Sequence, residues 1–398
     1  MVLTGIDQIN SISWKLKDKN VGIITNNMAR NRELVSSLDV IKSLNNVRSL
    51  TLLSPEHGFF GDLQAGIPVE SYFDDYLNVY VESLYKNPGN VDNNDIDSSM
   101  REMDSKRDKS KYPDKSIMEK FDAIIYDLQD VGCRIYTYLA TMIYSMESLN
   151  DNGTEFIVLD RPNPITGLNP EGPILDGGLE SFIGAMPLPM RHSLTIGEAA
   201  LFFNKYINKE RTNLNIVKVK NWRRSLWHDE TGQPWIMPSP NMPDLDTAIV
   251  YPGSVLIEGT NLSEGRGTTR PFQILGAPWI DGVKLSKKIN DLKIPGVKVI
   301  DVKFIPSFSK YSGMKCSGIY IYVNNRDLFR PFRFALEVIS EIIDVYKDFE
   351  FYDKYFDSAS GNRMVRSMLL KGYSGNDIVE RFDLNRFNID ADEIKIYN

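Results

Sequence analysis

VGIITN (21–26), SLTLLS (49–54), AIIYDL (123–128) and FIVLDR (156–161) are the stretches that decide the fold. Each is apolar at consecutive rather than alternating positions, as a strand covered on both faces must be, and such strands belong to parallel sheets sandwiched by helices. The intervening segments supply the helices. Leu34, Leu38, Ile41 and Leu44 recur at helical spacing, as do Ile135, Leu139, Met142, Ile143, Met146 and Leu149. Both stripes read as faces turned to a core. The first half is therefore a run of β-α-β units building a mostly parallel sheet.

Working outward, Thr195-x-x-Glu198 is a capping box opening a helix through LFFNKYI, and LNIVKV (214–219) reads as a further strand. Thirteen of the twenty prolines fall between Pro162 and Pro278. A loop-rich middle that keeps its Trp, Tyr, Phe and Leu is more in keeping with a functional surface than with disorder. Beyond Pro271, VKVIDVKFI (297–305) and GIYIYVNN (318–325) read as strands, followed by a helix from Pro331 through Tyr346 and two shorter helical pieces reaching residue 382. The expected architecture is α/β, with a sheet domain over 1–235 and a smaller α/β domain over 236–398 that completes a cleft. Residues 87–111 break the pattern, having no aromatic and four apolar residues, and are expected to be a mobile polar insertion.

Composition removes several function classes. A net charge of −7 offers no general attraction for phosphate backbones, so nucleic acid is not an expected partner. Two cysteines, Cys133 and Cys316, make neither a disulfide framework nor a C-x-x-C site and are expected as small core residues. Three histidines, none in an H-E-x-x-H pattern, argue against a metal centre. With no apolar run of about 20 residues and no leader-like start, the expected address is cytoplasmic, without a membrane partner. Neither G-x-G-x-x-G after a strand nor G-x-x-x-x-G-K-[ST] occurs, so no nucleotide cofactor is expected and acid–base work falls largely on carboxylates.

Ligands of open parallel sheets bind beyond the carboxyl ends of the strands. Three of the predicted strands deliver acids there: Glu56 in Ser54-Pro55-Glu56-His57-Gly58, Asp127 and Asp130 after the third, and Asp160 at the end of the fourth. Glu56 stands out, because Pro55 and Gly58 specify a turn that holds it at the crevice, and a carboxyl partly withdrawn from water can donate a proton near neutrality. His57 is placed to tune Glu56 or to touch a ligand. The loop from Glu258 to Arg270 is rich in side chains suited to sugar hydroxyls or a carboxylate, with Arg266 open to either a structural or a ligand role.

SPEHGFFG (54–61), DLQDVGCRIYTY (127–138), LDRPNP (159–164), MRHSLT (190–195), PSPNMP (238–243) and EGTNLSEGRGTTRPF (258–272) occur in that order. Together they resemble the exo-β-N-acetylmuramidases of glycoside hydrolase family 171, over nearly the whole chain apart from 87–111. The resemblance implies a Rossmann-like N-terminal domain, a smaller α/β C-terminal domain, and removal of terminal N-acetylmuramic acid from non-reducing ends of peptidoglycan fragments, with Glu56 as the acid. It implies a small carbohydrate partner, a muropeptide or a disaccharide containing N-acetylmuramic acid, and from a cytoplasmic copy a part in wall recycling. One departure is Ser193, where the family commonly has glycine.

Glycoside hydrolysis also needs a second group. Asp127, Asp130, Glu264 and the substrate's own 2-acetamido group are the candidates. The lactyl carboxylate that marks muramic acid calls for a cation, and Arg134, Arg191 and Arg266 lie in family-like motifs. Asn163, His192, Asn241 and Asn261 are candidates for hydroxyl or acetamido groups. A non-catalytic aminosugar-binding protein that keeps the cleft is the alternative reading.

Overall fold

A computed structural model describes residues 1–63, 70–85 and 109–398. Twelve strands are present among them: β1 (Asn20–Thr25), β2 (Ser49–Ser54), β3 (Tyr72–Asp74), β4 (Val79–Ser83), β5 (Ala123–Asp127), β6 (Glu155–Leu159), β7 (Glu171–Ile174), β8 (Pro189–Arg191), β9 (Asn213–Val217), β10 (Ile274–Ala277), β11 (Val297–Phe304) and β12 (Cys316–Val323). Seven form one sheet in the order β3-β4-β2-β1-β5-β6-β9. All its pairings are parallel except the β3–β4 edge. β10-β12-β11 make an antiparallel sheet, and β7 and β8 pair as a separate ribbon.

Successive residues of a strand point to opposite faces, so a strand apolar throughout must feed two cores. Val21 and Ile23 of β1, with Ala123 and Ile125 of β5, pack under the helix Ser37–Lys42 beside Leu38 and Ile41. Ile24, Ile124 and Tyr126 face the other way, onto the helix Thr137–Ser148. That second core does not stop at the sheet. It runs on through Ile249, Leu256 and Leu275 to Phe332, Leu336 and Phe356, so the C-terminal half shares one apolar interior with the first.

The capping box at Thr195 and Glu198 forms as expected, and both cysteines are buried and unpaired. Other expectations need correction. Leu34 precedes the helix, has φ of 63° and is half exposed, so the first stripe is shorter than its spacing suggested. Beyond Val345 there are four helices rather than two, the last being Asn385–Ile394. β3, β7, β8 and β10 are too short to announce themselves, and β4 mixes buried and exposed positions instead of running apolar. The polar stretch lies outside the described residues up to 108, and 109–111 form a single 3-10 turn. Among the described residues no helix is long and apolar enough to cross a membrane.

The C-terminal residues return to the first sheet. The Tyr397 hydroxyl donates to Asp160 Oδ2 at 2.5 Å and accepts from the Val219 N–H at 2.8 Å. Ile396 N–H donates to Glu198 Oε1 at 3.0 Å, and Glu198 is itself paired with Arg224 at 2.6 Å. Asp160, at the carboxyl end of β6, is fully buried.

Candidate active site

The strand order reverses between β1 and β5, which opens the crevice beyond their carboxyl ends. β2 runs beside β1, and its continuation is the turn Pro55-Glu56-His57-Gly58, closed by a bond from the Gly58 N–H to the Pro55 carbonyl at 3.2 Å. His57 takes φ of 73°, which costs an L-residue roughly 1–2 kcal/mol. Its ring secures the turn through a 2.8 Å bond between Nδ1 and the Leu63 carbonyl.

The turn aims Glu56 at the first turn of the helix Thr137–Ser148. Thr137 Oγ1 donates to Glu56 Oε2 at 2.6 Å, and Glu56 is 5% exposed. One helical turn on, Thr141 bonds the Tyr85 hydroxyl at 2.6 Å. Burial pushes the phenols of Tyr85, Tyr138 and Tyr251 well above their ordinary range. Glu56 thus stands among tyrosines that stay protonated. An aromatic run leads away from it: His57 to Tyr138 (6.4 Å between ring centres), Tyr138 to Tyr136 (5.1 Å), Tyr136 to Tyr251 (6.1 Å) and Tyr251 to Phe272 (4.8 Å). The Arg266 guanidinium lies over Phe272 at 5.1 Å. The run passes from the sheet into the C-terminal half.

Several residues expected at the site have other tasks. Asp127 is fully buried and holds Arg161 through both oxygens, at 2.5 and 3.0 Å, while Ser37 also donates to it. Bonded at both oxygens in this way, Asp127 serves as the buried counter-ion of Arg161. Asp130 Oδ2 accepts from the Gly132 N–H at 2.7 Å and faces His192 Nε2 at 3.3 Å. His192 Nδ1 accepts from the Leu194 N–H, which assigns its proton to Nε2, and the ring is fully buried. Glu264 pairs with Lys310 at 3.2 Å and with Arg266 at 3.5 Å.

The expected cations are engaged in part, Arg134 Nε and Nη1 and Arg191 Nε being buried without a hydrogen bond among the described residues. Arg134 is almost fully buried and donates to the carbonyls of Ala359 and Ser360, terminating the helix Asp353–Ser360. Gly361, with φ of 78°, leaves the room it needs, since a Cβ there would lie 2.4 Å from Arg134 Nη2. Arg191 donates to Ile165 and Thr166 from within the β7–β8 ribbon. Burial lowers both guanidiniums to about 10. Arg266 is bound by Glu258 at 2.6 Å and keeps a small exposed fraction. Asn163 spans Leu194 and Ile165, and Asn261 spans Asp348 and Glu350. Asn241 is buried in the PSPNMP loop, whose Pro238 carbonyl accepts from Tyr138. Ser193 has φ of 59°, a conformation that glycine reaches without strain.

Thr137, Tyr138, Tyr85 and Tyr251 were not singled out by sequence reasoning. The first two lie inside DLQDVGCRIYTY, where the helical stripe hid them. Tyr85 and Tyr251 carried no local signal.

Residues 21–246 match the N-terminal domain and residues 249–397 the C-terminal domain of the exo-β-N-acetylmuramidase NamZ family. The chain belongs to that family, as the six ordered motifs indicated. Peptidoglycan β-N-acetylmuramidase NamZ of Bacillus subtilis strain 168 is 40% identical over 401 residues, spanning 100% of this chain and 91% of its own. Two crystal structures of DUF1343 family proteins from Bacteroides fragilis are similar throughout. One has a TM-score of 0.86 at 30% identity, the other 0.75 at 26%, each with 100% of this chain and 99% of its own covered.

Proposed function

We propose that this chain is an exo-acting β-N-acetylmuramidase that releases terminal N-acetylmuramic acid from the non-reducing ends of peptidoglycan fragments, with Glu56 as the proton donor. The observation that carries the reading is the Glu56 carboxyl itself, enclosed beside the crevice at the carboxyl end of β2 and oriented by Thr137. Family membership supports the reaction class, and the named activity of the B. subtilis relative supports the substrate. Recycling of wall fragments is the role we propose for it.

Asp127 and Glu264 are each engaged by buried cations, whereas Asp130 keeps Oδ1 buried without a hydrogen bond among the described residues. The substrate brings a group of its own, the 2-acetamido oxygen, which can attack the anomeric carbon as the leaving oxygen takes the Glu56 proton. Thr137 then serves to position the acid.

The test is release of the aryl alcohol from a chromogenic β-N-acetylmuraminide, with the β-N-acetylglucosaminide as comparison, by wild type and Glu56→Gln. A lost proton donor should lower kcat by roughly 10²–10⁴-fold. A Glu56→Gln variant within threefold of wild type overturns the assignment of Glu56. Saturable binding of the muraminide by wild type without any cleavage would instead support a non-catalytic aminosugar-binding protein.

A further inference from the structure

Beside the Glu56 turn lies a small cavity that none of the roles above employs. The segment following β1 touches both. On one side the Asn27 N–H donates to the Phe59 carbonyl at 2.7 Å, tying that segment to the SPEHGFFG loop. On the other side Arg30 and Asn31 line the cavity, facing Gln129, Arg161, His228 and Trp235. The space is about 20 Å³, enough for one or two water-sized groups and too little for a sugar ring.

Its walls are rich in donors. Arg161 is neutralised by Asp127, whereas among the described residues Arg30 has no such counter-ion. Its guanidinium donates to the Leu34 carbonyl and to Asn27 Oδ1, both at 2.7 Å, and among the described residues no carboxylate pairs with it. Asn31 spends Oδ1 on the N–H groups of Glu33 and Val35, at 3.0 and 2.9 Å. Among the described residues its Nδ2 makes no hydrogen bond. His228 is 6% exposed, and neither ring nitrogen makes a hydrogen bond of normal geometry. Burial lowers its basicity, with the Pro234 carbonyl and Asp229 working against that, while Asp229 is itself held by Arg326 at 2.7 Å. Trp235 stands edge-on to His228 at 5.1 Å and is fixed by its indole N–H on the Met242 carbonyl.

We propose that this cavity seats a carboxylate of the substrate, with Arg30 as the balancing charge and Asn31 and His228 as further donors. The inference rests on the muramidase reading and deepens it. Size and charge both favour it: two carboxylate oxygens match the space, and Arg30 lines it whereas Arg134, Arg191 and Arg266 do not. The carboxylate has two possible sources, the lactyl group of a peptide-free muramic acid or the acidic residues of a stem peptide. In a peptide-bearing fragment the lactyl carboxyl is an amide, so the two sources never coincide on one group.

The experiment uses the full chain with Asn31→Asp and Arg30→Gln. Asn31→Asp keeps the Oδ1 acceptor that shapes the local turn and places a negative charge against the ligand, so its fold survives where Arg30→Gln could loosen the loop. Each variant should raise KM for the carboxylate-bearing substrate by roughly 10- to 100-fold, the worth of a charge-assisted contact, with kcat within about threefold. A rise confined to the peptide-free aryl muraminide assigns the lactyl group; a rise confined to a peptide-bearing muropeptide assigns the stem. KM within twofold of wild type for both substrates in Asn31→Asp overturns the proposal and leaves the cavity to water. Failure of the muramidase reading is distinguishable, because then wild type cleaves neither substrate. The seat is in that case judged by calorimetric titration of free N-acetylmuramic acid against N-acetylglucosamine. A preference for the former that Asn31→Asp abolishes supports it, and no preference overturns it.

Discussion

Tyr397→Phe removes one oxygen atom and two hydrogen bonds. Asp160 Oδ2 keeps its bond from Thr195 at 2.8 Å and Asp160 Oδ1 keeps those from the Arg161 and Gly197 N–H groups, but the Val219 N–H loses its acceptor inside a residue only 5% exposed. A lost bond to a carboxyl group contributes about 1–2 kcal/mol and an orphaned buried N–H about 1–3, so the variant should be less stable by about 2–5 kcal/mol. At roughly 2.1 cal/mol/K per residue, 398 residues give an unfolding entropy of about 0.8 kcal/mol/K, and the midpoint should fall by about 2–6 °C. The deficit should also depend on pH. Burial, opposed by donors from Tyr397, Gly197 and Thr195, raises Asp160 from the ordinary 3.8 to about 7. The folded state therefore holds a proton that the unfolded chain releases. The contribution favours folding below about pH 4 and is lost as pH rises to about 7. The phenol bonds the ionised carboxylate more strongly than the neutral acid, so Tyr397→Phe should lose more stability at pH 8 than at pH 5.5. Urea and thermal unfolding at both pH values test this, and a deficit below about 0.5 kcal/mol at both refutes the reasoning.

Thr137→Val deletes the 2.6 Å bond to Glu56 without touching the helix cap, and should lower kcat on the muraminide by roughly 10- to 100-fold with KM within about twofold. Thr137→Ser should restore most of the loss, and an unimpaired Val variant would mean that Glu56 is positioned by other contacts. Lys310→Met strips the shared donor from the carbonyls of Ile257, Glu258 and Leu262 and leaves Glu264 with Arg266 alone, at a cost of about 3–5 kcal/mol read from the urea midpoint.

How legible was this protein? The four central strands could be read because each must feed two cores, which forces apolar runs such as Ile23-Ile24 and Ile124-Ile125-Tyr126. β7, β8 and β10 could not, because four residues or fewer hold no periodicity. Glu56 was legible through the residues around it: Pro55 and Gly58 restrict a turn at a strand's carboxyl end. The ownership of the other charges was not. Asp127 pairs with Arg161, 34 positions away, and Arg134 with carbonyls more than 220 positions away, and spacing along a chain carries no trace of such pairings. The cavity at Arg30 escaped for the same reason, since its walls come from the ends of three strands and a proline-rich loop.

Arg134 sets a clock on the birth of the molecule. Its guanidinium acquires its acceptors when Ala359 and Ser360 have been made, 226 residues downstream for the latter. At roughly 5–20 residues per second that is an interval of about 10–45 s in which strands β1 to β6 exist on the nascent chain but this arginine has nothing to donate to. A guanidinium is not easily buried alone, so during that time the segment joining β5 to the helix that holds Thr137 is kept at the water surface. The acid's positioning partner therefore reaches its final place late in synthesis, and an interrupted product ending before residue 359 should carry a formed sheet and an unassembled site.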